Sequence, residues 1–364
     1  MDGHRVGAGP IRPAAAGPGE AYAPMSTTRV TAAIAPGAVY TMTNAASGNS
    51  VLAFARAADG TLSPAGSLLT GGFGTGAGLG SQGSVALSPD GRFLLVVDPG
   101  SDQVSAFAVT SSGLQLLNTA GSGGRLPISV TACGGFAYVL HAGDTPGIAG
   151  FTLTATGLAP IAGSARTLGP SAAGPAEVQF GPACDTLVVT EKASNTIDTY
   201  TVGPGGMASG PFPHPSVGVE PFGSAFNGAT RLVVTDAVTN AVTLYAVGPN
   251  GSLQALFGPV PDLQVAPCWL VVTPDGRFAY AANTGSGTIS GFALETFRMT
   301  LLDANGVTAV VGGVAIDLVL GGGGSLLYGL NGNGIAGFQV QPNGALKGVT
   351  FVAVPPTAQG LAAS

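Results

Sequence analysis

Lysine is nearly absent from this chain of 364 residues, where it occurs only as Lys192 and Lys347. Charged residues make up 8% of the sequence, and the formal net charge is −6. A nucleic-acid surface needs clustered Lys and Arg, so this composition argues against one. No apolar run reaches the roughly 18 residues of a membrane span, and no stretch keeps a helical period. We therefore expect neither a nucleic-acid nor a membrane partner.

Metal and cofactor motifs are also lacking. The chain has no His-x-x-His or Cys-x-x-Cys pair for a transition metal, and the glycine-rich LGGGGS (320–325) lacks the Lys-Ser/Thr of a phosphate loop. We expect no cofactor. A divalent metal ion held by Asp98, Glu191 and Asp236 would be compatible with the pattern, but nothing in it requires one.

Cysteine is scarce as well, with only Cys133, Cys184 and Cys268. An odd number with no zinc-like spacing argues against a disulfide framework. The expectation is that all three are small, buried, apolar thiols.

Glycine and proline, by contrast, are abundant, at 60 and 27 residues, and they separate short β-branched runs. SPDGRFLLVVDPGSDQVSAFAV (88–109) and TPDGRFAYAANTGSGTISGFAL (273–294) share a turn, a strand and a break, and five weaker copies occur elsewhere. The aligned residues that end the first strand of each copy are Asn44, Asp98, His141, Glu191, Asp236, Asn283 and Asn331. Their spacing of 43 to 54 residues is close to that of a four-stranded propeller blade. The sequence predicts an all-β, seven-bladed β-propeller.

The repeat also assigns strands within each blade. In blade 2, strands A to D, counted outward from the axis, are predicted at 84–88, 93–97, 104–109 and 114–119. The C-terminal QGLAAS (359–364) follows the last blade and is predicted to return as strand A of blade 1, which would close the ring. VTAAI (30–34) competes for that position. We assign residues 1–37 to a disordered tail or linker and 38–364 to the propeller, which we expect to be a monomer.

The aligned strand ends are predicted to surround one mouth of the channel. Asn and Asp suit a turn there, so Asp98, Asp236 and Asn283 are mainly structural candidates that could also contact a ligand. His141 and Glu191 depart from this pattern in adjacent blades. Glu191 could act as a general base, and His141 as its partner. The alternative is an exposed carboxylate and a loop histidine.

Other candidates stand where the A strands begin: Gln82, Arg125, Glu177, Phe222 and Trp269. Trp269 could stack on a ring substrate, or it could pack between blades. Arg125 could bind a carboxylate or polarise a carbonyl, or it could simply be exposed. Together with the strand ends, these residues form the predicted catalytic and substrate-binding set.

The two strongest repeats, with the terminal QGLAAS, resemble the seven-bladed propeller lactonases, which include 6-phosphogluconolactonases and carboxymuconate-lactonizing enzymes. The resemblance covers about residues 38–364. It implies a lactone-hydrolysing activity and equates the family's acid with Glu191 in Thr190-Glu191. The family's Pro-Arg-His reads Pro175-Ala176-Glu177 here, and the arginine expected in blade 6 is Cys268 beside Trp269.

This loss of basic residues predicts a less charged, more apolar substrate than a sugar phosphate. A lactonase-like hydrolase is the favoured interpretation. A non-catalytic propeller that binds a small molecule or a protein is the alternative, and a metal-assisted hydrolase is a third hypothesis. Residues 1–24 lack the apolar segment of a secretory signal. Export is still favoured slightly over a cytoplasmic location, because the body of the chain is poor in lysine.

Overall fold

The computed structural model describes residues 37–169 and 174–364. Within these residues the strands form seven antiparallel sheets, each built on four strands, and in six of the sheets these follow chain order from the axis outward. The innermost strands contact one another in a closed circuit. The predicted seven-bladed propeller is thus confirmed. VTAAI (30–34) lies outside the described residues, as does the predicted tail except for Gly37, which begins the first strand.

Blade 1 contains β1 (Gly37–Met42), β2 (Ser50–Arg56) and β3 (Leu62–Leu69). Blade 2 contains β4 (Val85–Leu87), β5 (Phe93–Asp98), β6 (Gln103–Thr110) and β7 (Gly113–Gly121). Blade 3 contains β8 (Pro127–Cys133), β9 (Phe136–His141), β10 (Gly147–Thr154) and β11 (Gly157–Pro160), with the short β12 (Arg166–Thr167) also on β10. Blade 4 contains β13 (Pro175–Phe180), β14 (Thr186–Glu191), β15 (Thr196–Val202) and β16 (Ala208–Pro215).

Blade 5 contains β17 (Pro221–Asn227), β18 (Arg231–Asp236), β19 (Ala241–Val247) and β20 (Leu253–Pro261). Blade 6 contains β21 (Pro267–Val272), β22 (Phe278–Asn283), β23 (Thr288–Leu294) and β24 (Met299–Leu301), with β25 (Ala309–Val310) also on β23. Blade 7 contains β26 (Ala315–Gly321), β27 (Leu326–Asn331), β28 (Gly334–Val340) and β29 (Leu346–Ala353). The last strand, β30 (Gln359–Ala363), completes blade 1. Single 3₁₀ turns span Pro204–Gly206 and Gly322–Gly324.

The C-terminal strand closes the ring as predicted. β30 pairs antiparallel with β1 and occupies the innermost position of blade 1. Arg56 reinforces the closure, because its Nε and Nη2 donate to the backbone oxygen of Ser364 at 3.1 and 3.0 Å. The closure supplies the fourth strand of blade 1 and so removes the sheet edge that its three remaining strands would otherwise expose.

Adjacent blades are joined by buried tyrosines on the second strands. Three of them donate the hydroxyl to a glycine carbonyl in the outer hairpin of the next blade, whereas the Tyr40 hydroxyl in blade 1 has no partner among the described residues. The pairs are Tyr138–Gly206, Tyr280–Gly344 and Tyr328–Gly60, at 2.6, 2.8 and 2.9 Å. Glycine is required at these turns, since all three have positive φ and a Cβ at Gly344 would lie 2.7 Å from the Phe278 ring. These three tyrosines therefore satisfy their polar end while filling the interface between blades.

The prediction of three free thiols is wrong for two cysteines. Cys133, at the end of β8, forms a disulfide with Cys184 in the turn before β14, and their Cα atoms are 5.4 Å apart. The strand A ends of neighbouring blades meet at this end of the ring, so membership of separate blades does not keep cysteines apart. Cys268 matches the expectation, as a free, buried thiol.

Candidate functional site

The seven aligned residues at the ends of the second strands are all buried. This position is called the corner of the blade. Asp98 in blade 2 is fully buried and accepts hydrogen bonds from Asn49 Nδ2 (2.9 Å), Thr70 Oγ1 (2.6 Å) and Ser105 Oγ (2.6 Å). Burial raises the pKa of Asp98, and these three donors oppose that rise. The side chain joins the blade to its neighbour and does not face an open mouth.

The corresponding residues of blades 3 and 5 are similarly enclosed. Asp236 accepts from Ser216 and Thr243 hydroxyls at 3.2 and 2.6 Å, and burial raises the pKa of Asp236 to about 6. The ring nitrogens of His141 lie 3.1 Å from the carbonyl of Gly147 and 2.8 Å from that of Ser122. Burial lowers the pKa of His141. Because both ring nitrogens face backbone carbonyls, neither is free to take a proton from a substrate water.

Blade 4 has a different arrangement at the same corner. Glu191 is 1% exposed, and its Oε2 accepts a hydrogen bond from Ser194. Seven residues further on, where blades 2, 5 and 6 carry a hydroxyl, blade 4 carries Asp198. Burial, followed by the adjacent Glu191 carboxylate, raises the pKa of Asp198. Across the described part of the chain, no hydrogen-bond partner reaches Glu191 Oε1, either Asp198 oxygen or the Tyr200 hydroxyl.

Arg125 lies on an exposed part of the rim. Its guanidinium is 3.1 Å from Asp144 and 3.8 Å from Asp102, in ion pairs whose members are all substantially exposed. No hydrogen bond among the described residues connects it to Glu191 or His141. The three predicted catalytic residues therefore occupy separate positions.

The predicted residues at the beginnings of the inner strands do converge. Gln82, in the connection from blade 1 to blade 2, inserts its amide into the channel. Its Nε2 donates to Glu177 Oε1 (2.9 Å) and to the carbonyls of Ser224 and Leu270 (3.1 and 3.0 Å), while its Oε1 accepts from the Leu270 N–H (2.9 Å). One side chain thus links the inner strands of blades 4, 5 and 6.

A cavity of about 270 Å³ lies along the channel and is bounded by Gln82. Two buried acids face it, Glu177 and Asp317. Burial raises the pKa of both to about 8, although Ser224 and backbone N–H groups donate to their oxygens. Both carboxyls are therefore expected to hold protons at neutral pH.

The mouth beside Gln82 contains a half-buried cation, Lys192, packed on an aromatic pair that is itself buried, since Phe222 and Trp269 are each only 4% exposed. The Phe222 and Trp269 ring centroids are 5.0 Å apart, and Trp269 Nε1 donates to the Ser81 carbonyl at 2.9 Å. Lys192 Nζ lies 4.8 Å from the centroid of Phe222 and donates to the Gly80 carbonyl. An ammonium over an aromatic face is a favourable arrangement, and Lys192 retains further N–H donors for a ligand.

Charge at this mouth is balanced by one acid. Burial lowers the pKa of Lys192, and the nearby Glu220 carboxylate opposes that effect. Glu220 is partly exposed and has a φ of 65°, and its N–H is held by Asn195 Oδ1 at 2.8 Å. Cys268 lies in the same group, but burial raises its thiol pKa to about 11, so it is not a thiolate at neutral pH.

Sequence reasoning missed Lys192 and Glu220 as mouth residues. The signal for Lys192 was its rarity, since the chain has only one other lysine. Glu220 had a weaker signal, its position directly before the proline that begins an inner strand.

Neither a metal cluster nor a membrane helix is found in the described ranges. Residues 37–169 and 174–364 contain no group of three or more His, Cys, Asp or Glu side chains that could hold a metal ion. They also contain no helix long and apolar enough to cross a membrane.

Comparison with known proteins agrees with this architecture. Residues 30–250 match the profile of the family described as "Lactonase, 7-bladed beta-propeller". The match spans more than half of the chain, so the protein belongs to the seven-bladed β-propeller lactonase family. No curated protein matches the sequence.

Solved structures resemble the chain along most of its length. A periplasmic gluconolactonase of Pseudomonas aeruginosa is 18% identical, with a TM-score of 0.70 over 89% of this chain and 99% of its own. A Lactobacillus plantarum protein is 18% identical, with a TM-score of 0.73 over 90% and 99%. A Bacteroides fragilis protein, provisionally assigned as a 6-phosphogluconolactonase, is 17% identical, with a TM-score of 0.70 over 92% and 99%. At this identity the similarity establishes the fold alone.

Proposed function

We propose that the protein hydrolyses a lactone at the mouth formed by blades 4, 5 and 6. Water adds to the ring carbonyl, the ring C–O bond breaks, and a hydroxy acid leaves. Family membership supports the reaction class. The observation that carries the location is the half-buried Lys192 ammonium, which lies on the buried Phe222–Trp269 pair next to Glu220.

Lys192 is the group best suited to stabilise the reaction's charge. The tetrahedral intermediate of ester hydrolysis places negative charge on the former carbonyl oxygen, and a partly desolvated cation stabilises that charge strongly. Lys192 is half-buried, and its ammonium is held by Gly80 and by the Phe222 face. Trp269 is only 4% exposed and packs against Phe222, so its ring supports the Lys192 site from below and does not line it.

A carboxylate must remove the proton from the attacking water, and two glutamates are candidates. The sequence favoured Glu191, whose carboxylate is buried against Ser194 and Asp198. Glu220 is partly exposed and its charge acts on Lys192, which supports Glu220 over the buried Glu191 as the general base. Its conjugate acid would then protonate the leaving alkoxide, which returns the enzyme to its initial state.

The experiment is a lactone panel assayed with wild type and Lys192→Met. We expect kcat/KM to fall by about a hundredfold or more, because one preorganised donor to an oxyanion is worth roughly that factor. Lys347→Met is the matched control, since Lys347 is the only other lysine and is exposed on β29. Equal activity of wild type and Lys192→Met would exclude the proposed role of Lys192.

The non-catalytic alternative has its own outcome in the same panel. If no lactone is hydrolysed, yet lactones bind to wild type and bind more weakly to Lys192→Met, the mouth is a binding site without catalysis. Assays with and without a chelator test the metal-assisted hypothesis, which requires activity to fall when the chelator is present.

We also infer that the protein works in an oxidising compartment. The Cys133–Cys184 disulfide supports this, because disulfides persist mainly outside the reducing cytosol. Alkylation of thiols in fractionated cells, followed by mass spectrometry, tests it. A Cys133–Cys184 pair that is fully reduced in its native compartment would contradict the inference. A monomeric state stays a prediction, which sedimentation would check.

A further inference from the structure

Several exposed apolar side chains lie beside the mouth in blades 5 and 6. Val219, Val238, Leu263 and Val265, here called the apolar strip, are each between 49% and 60% exposed. They lie in loops that enter an inner strand or follow a second strand, so they occupy the same end of the ring as Glu220 and Trp269. Four large apolar side chains left in water at one location favour a ligand surface.

Backbone contacts make the strip continuous. The Val238 N–H donates to the Val219 carbonyl at 3.2 Å, which joins the first two members. Asn240, in the same turn as Val238, forms hydrogen bonds with the residues directly before Leu263 and directly after Val265. Its carbonyl accepts from the Asp262 N–H at 3.0 Å, and its Oδ1 accepts from the Ala266 N–H at 2.8 Å.

The strip leads into the proposed site at both ends. Val219 directly precedes Glu220, whose carboxylate acts on Lys192, and Phe222 follows two residues later. Val265 lies four residues before Trp269 on the path into β21. An alkyl chain lying on the strip would therefore continue from a ring held beside Lys192 and Glu220, both of which are partly exposed.

The opposite part of the rim has another character. Arg125 occupies in blade 3 the position that Val219 and Val265 occupy in blades 5 and 6, two residues before the proline of the inner strand. It is surrounded there by Asp102 and Asp144. The apolar strip therefore lacks the ion pairs that surround Arg125 in blade 3.

We propose that the substrate is a lactone carrying an unbranched alkyl chain, with the ring beside Lys192 and the chain along the apolar strip. This inference rests on the proposed lactone hydrolysis and specifies its substrate class. A sugar lactone would bring hydroxyl groups to the strip, where the four apolar side chains offer them no hydrogen bonds. An alkyl chain instead releases water from both surfaces.

The test is a homologous series of γ-butyrolactone, γ-octanolactone and γ-dodecanolactone, with kcat/KM measured for each. We expect kcat/KM of wild type to rise by about two- to fourfold for each methylene that leaves water. In a Val219→Ser/Val265→Ser variant the ratio of kcat/KM for γ-dodecanolactone to that for γ-butyrolactone should lose most of this rise. Phe297→Ser is the matched control, since Phe297 is 67% exposed in the hairpin at the other end of blade 6.

The inference and the proposed function fail separately. Hydrolysis of every lactone with no dependence on chain length overturns the inference and leaves the function standing. If no lactone is hydrolysed, calorimetric Kd values for the same series still decide the inference, which requires affinity to rise with chain length in wild type but not in the double variant. Pelleting of wild type with phosphatidylcholine vesicles, or its dimerisation, without any chain-length effect would assign the strip to another occupant and overturn the inference.

Discussion

The corner of blade 2 and the corner of blade 4 occupy equivalent places in the repeat, yet their hydrogen bonding is opposite. Asp98 receives three donors and has its charge satisfied by neutral groups. Glu191 faces Asp198, a second acid where blade 2 has the hydroxyl of Ser105. The difference teaches that the aligned position specifies only an acceptor at the strand end. Its partner seven residues later decides whether the corner stabilises the ring.

The corner of blade 6 shows a third arrangement, in which the corner residue donates hydrogen bonds instead of accepting them. Asn283 donates its Nδ2 to the hydroxyls of Thr288 (3.1 Å) and Ser290 (2.8 Å), and Ser290 in turn donates to the Gly306 carbonyl (2.7 Å). Asp98 can only accept, whereas the Asn283 amide supplies the donors that these hydroxyls need. The interchange of Asn and Asp between repeats is therefore a matter of hydrogen-bond direction.

Removing the satisfied acceptor should produce the largest change. Asp98→Ala leaves the buried donors of Asn49, Thr70 and Ser105 without their shared partner. We expect a loss of about 2–4 kcal/mol in the free energy of unfolding, measured by denaturant titration. Asp90→Ala is the control, because that carboxylate lies in an exposed turn and should matter far less. Equal costs for the two substitutions would remove the structural role assigned to Asp98.

Converting the blade 4 corner to the blade 2 pattern should instead increase the free energy of unfolding. Asp198→Ser replaces an acid by a hydroxyl donor, and we expect a gain of about 1–3 kcal/mol at pH 8. The gain should depend on pH. The folded-state pKa of Asp198 is raised to about 8 from 3.8, so the folded state binds the proton more tightly, and wild type loses stability as pH rises between those values.

The variant lacks this contribution, while Asp236, Glu177 and Asp317, with pKa values raised to about 6, 8 and 8, titrate in both proteins. The stability difference between variant and wild type should therefore grow from pH 4 to pH 8. A difference that is constant over this range would mean that Asp198 carries no buried proton.

Reversing the direction of the hydrogen bonds at Asn283 in blade 6 should change the free energy of unfolding least. Asn283→Asp requires Ser290 to donate to the new carboxylate and give up the Gly306 carbonyl. We expect a cost of about 1 kcal/mol, again from denaturant titration. Asp98→Asn should cost more, because the Asn amide would face three donors. If the two exchanges cost the same, hydrogen-bond direction does not explain the choice of residue.

The fold was predictable because period and turn chemistry repeat along the chain. The same regularity located the inner-strand residues Gln82, Glu177, Phe222 and Trp269, which the structure brings together. The repeat pattern wrongly placed the corner residues at the open channel mouth, because their burial depends on partners in the preceding blade. Thr70 and Ser216 are such partners, and no single aligned position reveals them.

The sequence did not reveal the disulfide or the position of Lys192, for related reasons. Cys133 and Cys184 are 51 residues apart and meet only because the inner strands of blades 3 and 4 lie side by side. Lys192 follows Glu191 in sequence, yet it reaches Gly80 and the Phe222 ring, while the Glu191 carboxylate is enclosed with Ser194 and Asp198. Adjacent residues at a strand end can thus serve different sites.

The central claim is that chemistry belongs to the mouth and not to the buried corners. The most direct measurement is kcat for lactone hydrolysis by Glu220→Gln and Glu191→Gln, prepared and assayed side by side. The account predicts that Glu220→Gln loses about a hundredfold or more, as expected for removal of a general base, while Glu191→Gln stays within about threefold of wild type. A large loss in Glu191→Gln with full activity in Glu220→Gln would contradict it and place catalysis at the corner of blade 4.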